Sequence, residues 1–176
     1  MPPAILDPRR NIELKARDDD PDWSLGVCRI LGAEDHGTIQ QRDSYFDVRR
    51  GGLKLREERP GSVHLIQFER ADEPQQRESR YRIAGIEDGP QLRAVLQAAL
   101  GVRVLVAKRR RLHIWRDVRI HLDEVDRLGT FIELEAVAAP ESDLTREHAL
   151  LEELRAAFAI SDDRLVSRGY AAQLLE

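Results

Sequence analysis

Only one cysteine, Cys28, stands in 176 residues. That excludes a disulfide framework within the chain and any zinc site built on several thiolates. Aromatic residues are scarce, at 5%, and no apolar run approaches the eighteen or so residues that a membrane-spanning helix requires. The stretch Met1-Pro2-Pro3-Ala4-Ile5-Leu6-Asp7 carries neither a basic leader nor an apolar signal core, so a cytoplasmic, reducing location and no membrane partner are expected. An excess of one charge is missing too: 28 Lys+Arg face 32 Asp+Glu, a net charge of −4. Nucleic acid is therefore not an expected partner, because a domain that binds it is usually basic. No repeat or low-complexity linker divides the chain, so 1–176 reads as one domain, long enough for a real core.

What the chain does have is charge of both signs. Charged residues make up 34%, against about 25% in ordinary domains. A balanced excess has two readings. One is a heavily solvated surface. The other is an interior in which acids and bases face each other and a metal and a polyanion compensate them.

Period-two alternation, the mark of a strand with two different faces, runs through several segments. Residues 11–17 set Ile12, Leu14 and Ala16 against Asn11, Glu13, Lys15 and Arg17. Residues 53–58 set Leu53 and Leu55 against Lys54, Arg56 and Glu58. Val118, Ile120 and Leu122 alternate with Arg119, His121 and Asp123; Ile132 and Leu134 alternate with Glu133 and Glu135. Further strands are read at 37–48, 62–70, 78–86 and 102–116, the second of these alternating poorly. Gly51-Gly52, Pro60-Gly61 and Gly129 punctuate them as turns. Helices are fewer. Pro90 opens one that carries Leu92, Val95, Leu96, Ala99 and Leu100 up to Gly101. Residues 142–158 place Leu144, His148, Leu151, Leu154 and Phe158 on one stripe, which gives His148 a structural role. A third helix is read over 21–32, and Trp23 and Trp115 are read as packing residues.

Hairpin-length connections imply antiparallel pairing, and eight strands can close into a barrel. The fold class expected is mainly β: a closed eight-stranded antiparallel barrel flanked by a few helices. An open sheet with a wet charged face is the competing arrangement. The placement of the acids favours turning the charged faces inward. Glu133 and Glu135 are two apart on a strand and point the same way, as do Glu13 with Lys15, and Asp123 with Arg119 and His121. Hard divalent cations take such carboxylates. Lys54 with Arg56, and Lys108 with Arg110, pair bases in the same manner, and these are natural partners of phosphate oxygens. Arg109 and Arg111 fall on the opposite face and read as solvated. His121 is either a proton carrier or a hydrogen-bonded neighbour of Asp123.

Read in order, Asn11-Ile12-Glu13-Leu14-Lys15, Gln41-Arg42-Asp43-Ser44-Tyr45-Phe46, Leu53-Lys54-Leu55-Arg56, Lys108-Arg109-Arg110, His121-Leu122-Asp123-Glu124-Val125, Leu128-Gly129-Thr130-Phe131-Ile132-Glu133-Leu134-Glu135 and Gly169-Tyr170 with Leu174-Leu175 resemble the motifs of the CYTH superfamily, the triphosphate tunnel metalloenzymes. The likeness spans roughly 11–175 and looks closest to the class IV adenylyl cyclase branch. It implies a charged barrel lumen that holds a triphosphate, ATP or tripolyphosphate, with Mg²⁺ or Mn²⁺ on an acidic cluster. By position it implies that Glu13, Asp123, Glu133 and Glu135 bind the metal, and that Lys15, Lys54, Arg56, Arg70, Lys108 and Arg110 hold the substrate. Lys15, Arg56, Lys108 and Arg110 would then be catalytic. A homodimer is one assembly that fits.

Two positions depart from the pattern. Asn11 replaces the first glutamate of the E-x-E-x-K signature, and the lysine usual on the fourth strand is missing, with Arg70 as its stand-in and Arg80 and Arg82 nearby. The reactions that such a tunnel supports are cyclisation of ATP to cyclic AMP and pyrophosphate, or hydrolysis of inorganic triphosphate, thiamine triphosphate or a nucleotide. A non-catalytic polyphosphate-binding module is a further reading, and a lipocalin-like carrier of apolar ligands ranks below all of these.

Overall fold

The computed structural model describes residues 8–70 and 75–176; the amino-terminal stretch read for a leader lies outside them. Eight strands, β1 (Arg9–Arg17), β2 (Glu34–Phe46), β3 (Gly52–Arg59), β4 (Val63–Arg70), β5 (Arg77–Ile86), β6 (Val102–Trp115), β7 (Val118–Val125) and β8 (Gly129–Ala138), form a closed barrel. Its order is β1-β5-β4-β3-β2-β6-β7-β8, and every pair is antiparallel. Direct turns join most neighbours. Helix α1 (Pro21–Ile30) carries the chain from β1 across to β2, and α2 (Gly89–Leu100) carries it from β5 to β6. After β8 come α3 (Thr145–Ala157), a single 3-10 turn at Asp162–Arg164 and the short α4 (Tyr170–Leu174).

The helix ends obey local rules. Asp20 accepts a hydrogen bond from the Trp23 amide at 3.0 Å, with Pro21 in the first turn. Asp88 does the same for Gln91 at 2.9 Å, and Gly101, at φ 74°, ends α2. Such caps satisfy amides that the helix itself leaves unpaired. α3 begins later than 142 because Leu144 sits in the left-handed region at φ 69°. Its buried stripe is Glu147, Leu150, Leu151 and Leu154, so His148 points outward instead of lying on it. Trp115 packs in the core as expected, whereas Trp23 is 44% exposed on α1.

The main apolar core lies outside the barrel. Ile12, Leu14 and Ala16 of β1, Val118 and Ile120 of β7, and Ile132, Leu134 and Ala136 of β8 pack against Val27 and Cys28 of α1 and Leu150, Leu151 and Leu154 of α3. Each large aliphatic side chain buried there contributes about 1.5–3 kcal/mol. Alternation then leaves the other faces of the same strands no choice but the lumen. A one-residue slip would drive the charged set into that apolar layer, so the register is strongly specified. A smaller cluster of Val106, Val125, Phe131 and Tyr170 closes one end of the barrel. The segment leading into α4 is docked there by a bridge between Ala16 and Leu165 and by the Val166 amide on the Lys15 carbonyl at 2.9 Å. Among the described residues no helix is long and apolar enough to cross a membrane.

Candidate active site in the barrel lumen

Three times around the wall, two cations grip one carboxylate. On β2 and β3, Asp43 accepts from Lys54 at 3.0 Å and from both sides of the Arg56 guanidinium at 2.9 and 2.7 Å. On β6 and β7, Asp123 accepts from Lys108 at 3.0 Å, from Arg110 at 2.7 and 2.6 Å, and from the Tyr170 hydroxyl at 2.9 Å. On β1, β4 and β5, Glu13 accepts from Arg77 at 2.7 Å and from Arg70 at 3.3 Å. Cross-strand register makes the first two clusters: Asp43 lies opposite Arg56, and Arg110 opposite Asp123. Each cluster joins two basic side chains to one carboxylate, and Arg110 reaches Glu133 as well, at 3.4 Å. Bidentate guanidinium–carboxylate pairs hold that arrangement rigidly.

A fourth group is acidic. Lys15 neutralises Glu133 at 3.1 Å, and Glu135 has Arg119 only at 3.7 Å. The His121 Nδ1 lies 3.9 Å from an oxygen of each glutamate. One donor atom from each of His121, Glu133 and Glu135 falls within 4.8 Å of the other two. His121 Nδ1 is buried without a hydrogen-bond partner, and so is the Oδ1 of Asn11 further along the wall. Uncommitted buried acceptors are expensive. His121, Glu133 and Glu135 would hold a divalent cation, which would satisfy the His121 Nδ1.

Electrostatics separate these groups. Burial opposes the charge on Asp43, but Arg56 and Lys54 outweigh it and hold the carboxyl well below its usual range. The same contest, with Arg110 and Lys108 prevailing, keeps Asp123 ionised. Burial and the adjacent Glu133 push Glu135 up to about 7. Burial, reinforced by Arg110, brings Lys108 down to about 7. Burial likewise lowers Lys15 and keeps His121 neutral, the form in which imidazole ligates a metal. A raised acid and a lowered base in one lumen are the pattern of a functional site.

The sequence-predicted residues are therefore brought to one lumen, but not into the groups expected of them. Glu133 and Glu135 stand together with His121, whereas Glu13 and Asp123 are engaged by cations. Lys54, Arg56, Lys108 and Arg110 face inward, and Arg109 points out, 67% exposed, to Glu124. Arg70 faces the lumen, while Arg80 and Arg82 bond Glu78 and Gln67 away from the lumen. Glycine at 169 allows this, since a Cβ there would lie 2.0 Å from the Arg70 Nη2. Sequence reasoning did not single out Asp43, although Gln41, Asp43 and Tyr45 alternate on one face. Arg77 carried no signal at all: it precedes the expected strand and meets a carboxylate 64 residues away.

Glu13, Lys54, Arg56, Arg70, Glu133 and Glu135 all border a cavity of about 130 Å³ inside the barrel. The protein is thus a closed eight-stranded antiparallel barrel whose lumen carries side chains of both charges. A model of the CYTH domain matches residues 9–170, and the chain belongs to that family. Its fold is shared with PH1012 of Pyrococcus horikoshii OT3, at 19% identity and a TM-score of 0.83 over 92% of this chain and 98% of that one. It is shared as well with a protein of Vibrio parahaemolyticus provisionally assigned as an adenylate cyclase, at 23% identity and a TM-score of 0.81 over 96% and 99%. No curated protein matches the chain.

Proposed function

We propose that this chain is a cytoplasmic, metal-dependent enzyme that binds a triphosphate in the tunnel and cyclises ATP. The observation that carries the reading is the enclosed cavity bordered by the cations Lys54, Arg56 and Arg70 and by the acids Glu133 and Glu135. Such fixed charges suit phosphoryl and nucleotidyl transfer, which depends mainly on positioning and electrostatic stabilisation. Lys54 and Arg56 on one wall and Lys108 and Arg110 on another would hold phosphate oxygens, with Arg70 and Lys15 completing the ring. Mg²⁺ or Mn²⁺ on Glu133, Glu135 and His121 would supply charge neutralisation on phosphate oxygens. In cyclisation the ribose 3′-oxygen bonds to the α-phosphorus as the hydroxyl proton passes to solvent. The α-phosphorus–oxygen bond to the β-phosphate breaks, and pyrophosphate leaves with the electron pair. Cyclisation is preferred to hydrolysis because the runs Gln41–Phe46 and His121–Val125, which resemble the cyclase branch, contain Asp43 and Asp123, the hubs of two clusters.

Incubation with ATP and Mn²⁺ or Mg²⁺, followed by chromatography, tests it. Cyclic AMP with pyrophosphate is expected. ADP with orthophosphate overturns cyclisation in favour of a triphosphatase. Binding without turnover, with activity gained in Asn11→Glu, identifies a module that has lost a metal ligand. Glu133→Gln and Glu135→Gln are each expected to abolish metal-dependent turnover while the barrel stays folded. Wild-type turnover in both variants at every metal concentration would remove the acidic group from the site.

A further inference from the structure

Beside α4, a second pocket of about 390 Å³ adjoins the lumen cavity, within the range of small-molecule sites. It shares Phe68 and Arg70 with the lumen cavity. Its chemistry is unlike that of the lumen. Leu53, Val104, Ala171 and Ala172 give it aliphatic walls, and Tyr45 and Phe68 give it an aromatic one. Its charged side chains are arginines, and none of its described lining residues is a carboxylate.

The aromatic wall is built in. Phe68 lies so close over β3 that a Cβ on Gly52 would come within 2.1 Å of its ring, so only glycine admits it there. Tyr45 meets the same ring edge-on, centroids 6.2 Å apart and planes at 87°. Two cations of the lumen flank the pair. Lys54 Nζ is 5.4 Å from the Tyr45 centroid and 5.7 Å from that of Phe68, and the Arg70 guanidinium carbon is 5.2 Å from Phe68. A flat π surface thus adjoins the cations proposed to grip phosphate.

We infer that this pocket receives the planar base of a nucleoside triphosphate, stacked on Phe68 with Tyr45 perpendicular beside it, and with its phosphate chain passing Arg70 and Lys54 into the lumen. Bare tripolyphosphate would leave the pocket empty. The inference rests on the triphosphate reading of the tunnel and adds the organic half of the substrate.

Calorimetric titration with ATP and with tripolyphosphate, on the wild type, Phe68→Leu and Val104→Trp, separates the two claims. The quantity read is the ratio of ATP to tripolyphosphate affinity, which a general loss of folded protein does not alter. Stacking of a base on an aromatic ring predicts that this ratio falls roughly five- to hundredfold in Phe68→Leu. Val104→Trp, which fills the pocket from a wall that does not border the lumen cavity, predicts a fall of the same order. An unchanged ratio in both variants, with tripolyphosphate still bound, overturns the base pocket and leaves the tunnel reading intact. Failure of the wild type to bind tripolyphosphate at all overturns the tunnel reading itself.

Discussion

Two clusters in the lumen are built alike and differ in what surrounds them. Asp43 with Lys54 and Arg56, and Asp123 with Lys108 and Arg110, each place a lysine and an arginine two residues apart on a strand and a carboxylate on its neighbour. The Asp123 cluster is sealed. Its three side chains are 0–5% exposed, Tyr170 caps the carboxylate at 2.9 Å, and the Tyr170 ring lies 4.9 Å from Lys108 Nζ. The Asp43 cluster is open, with Lys54 and Arg56 at 14% and 18%, and both cations line the cavity. Identical local chemistry is therefore set at two depths: the Asp43 cluster borders the cavity directly, and the Asp123 cluster lies buried beside Tyr170.

Removing the carboxylates breaks the comparison most severely. Asp123→Asn strands two buried cations and is expected to cost about 3–5 kcal/mol of stability. Asp43→Asn, whose cations reach solvent, is expected to cost about 1–2 kcal/mol. Denaturant unfolding reads both, and equal losses would show that the two clusters are equally sealed.

Ligand binding sharpens the comparison from the open side. Arg56→Ala is expected to weaken tripolyphosphate binding about ten- to hundredfold, the worth of a hydrogen bond to a charged group. Arg109→Ala, on the outer face with Glu124, is expected to change it little. Equal effects by calorimetry would mean that the barrel wall had been read inside out.

The smallest effect is a pH slope. Lys108 sits at about 7 in the free protein, through burial and the Arg110 charge, and a bound phosphate favours its protonated form. Triphosphate affinity should be flat below pH 7 and decline above it, by up to about tenfold per unit, until the bound-state pKa is reached. Glu135, also at about 7 and bordering the cavity, becomes anionic over the same range, so Lys108→Arg in a Glu135→Gln background should abolish the slope. A slope that persists in that variant would assign it to another group.

Much of this architecture was legible as alternation. Ile12, Leu14 and Ala16 against Asn11, Glu13 and Lys15 reveal both the strand and its two environments, because the side-chain period of a strand is fixed at two. The poorly alternating β4 was harder to read, for a reason now visible: Ile66 and Phe68 face the tunnel, where the other strands place charge. The stripe on α3 held at Leu151, Leu154 and Phe158, all buried. Only His148 left it: near the start of the helix the buried position is Glu147, which accepts the Ser142 hydroxyl at 2.7 Å.

The sequence alone determined the strands and which charged side chains share a face on each, since both follow from spacing within a few residues. Only the tertiary structure decided which carboxylates remain available to a cation. Glu13 is claimed by Arg77 and Arg70, 64 and 57 positions away, and Asp123 by Tyr170, 47 positions away. Ion pairing depends on distance in space, and barrel closure, which sets β1 between β5 and β8, creates neighbours that no local pattern encodes.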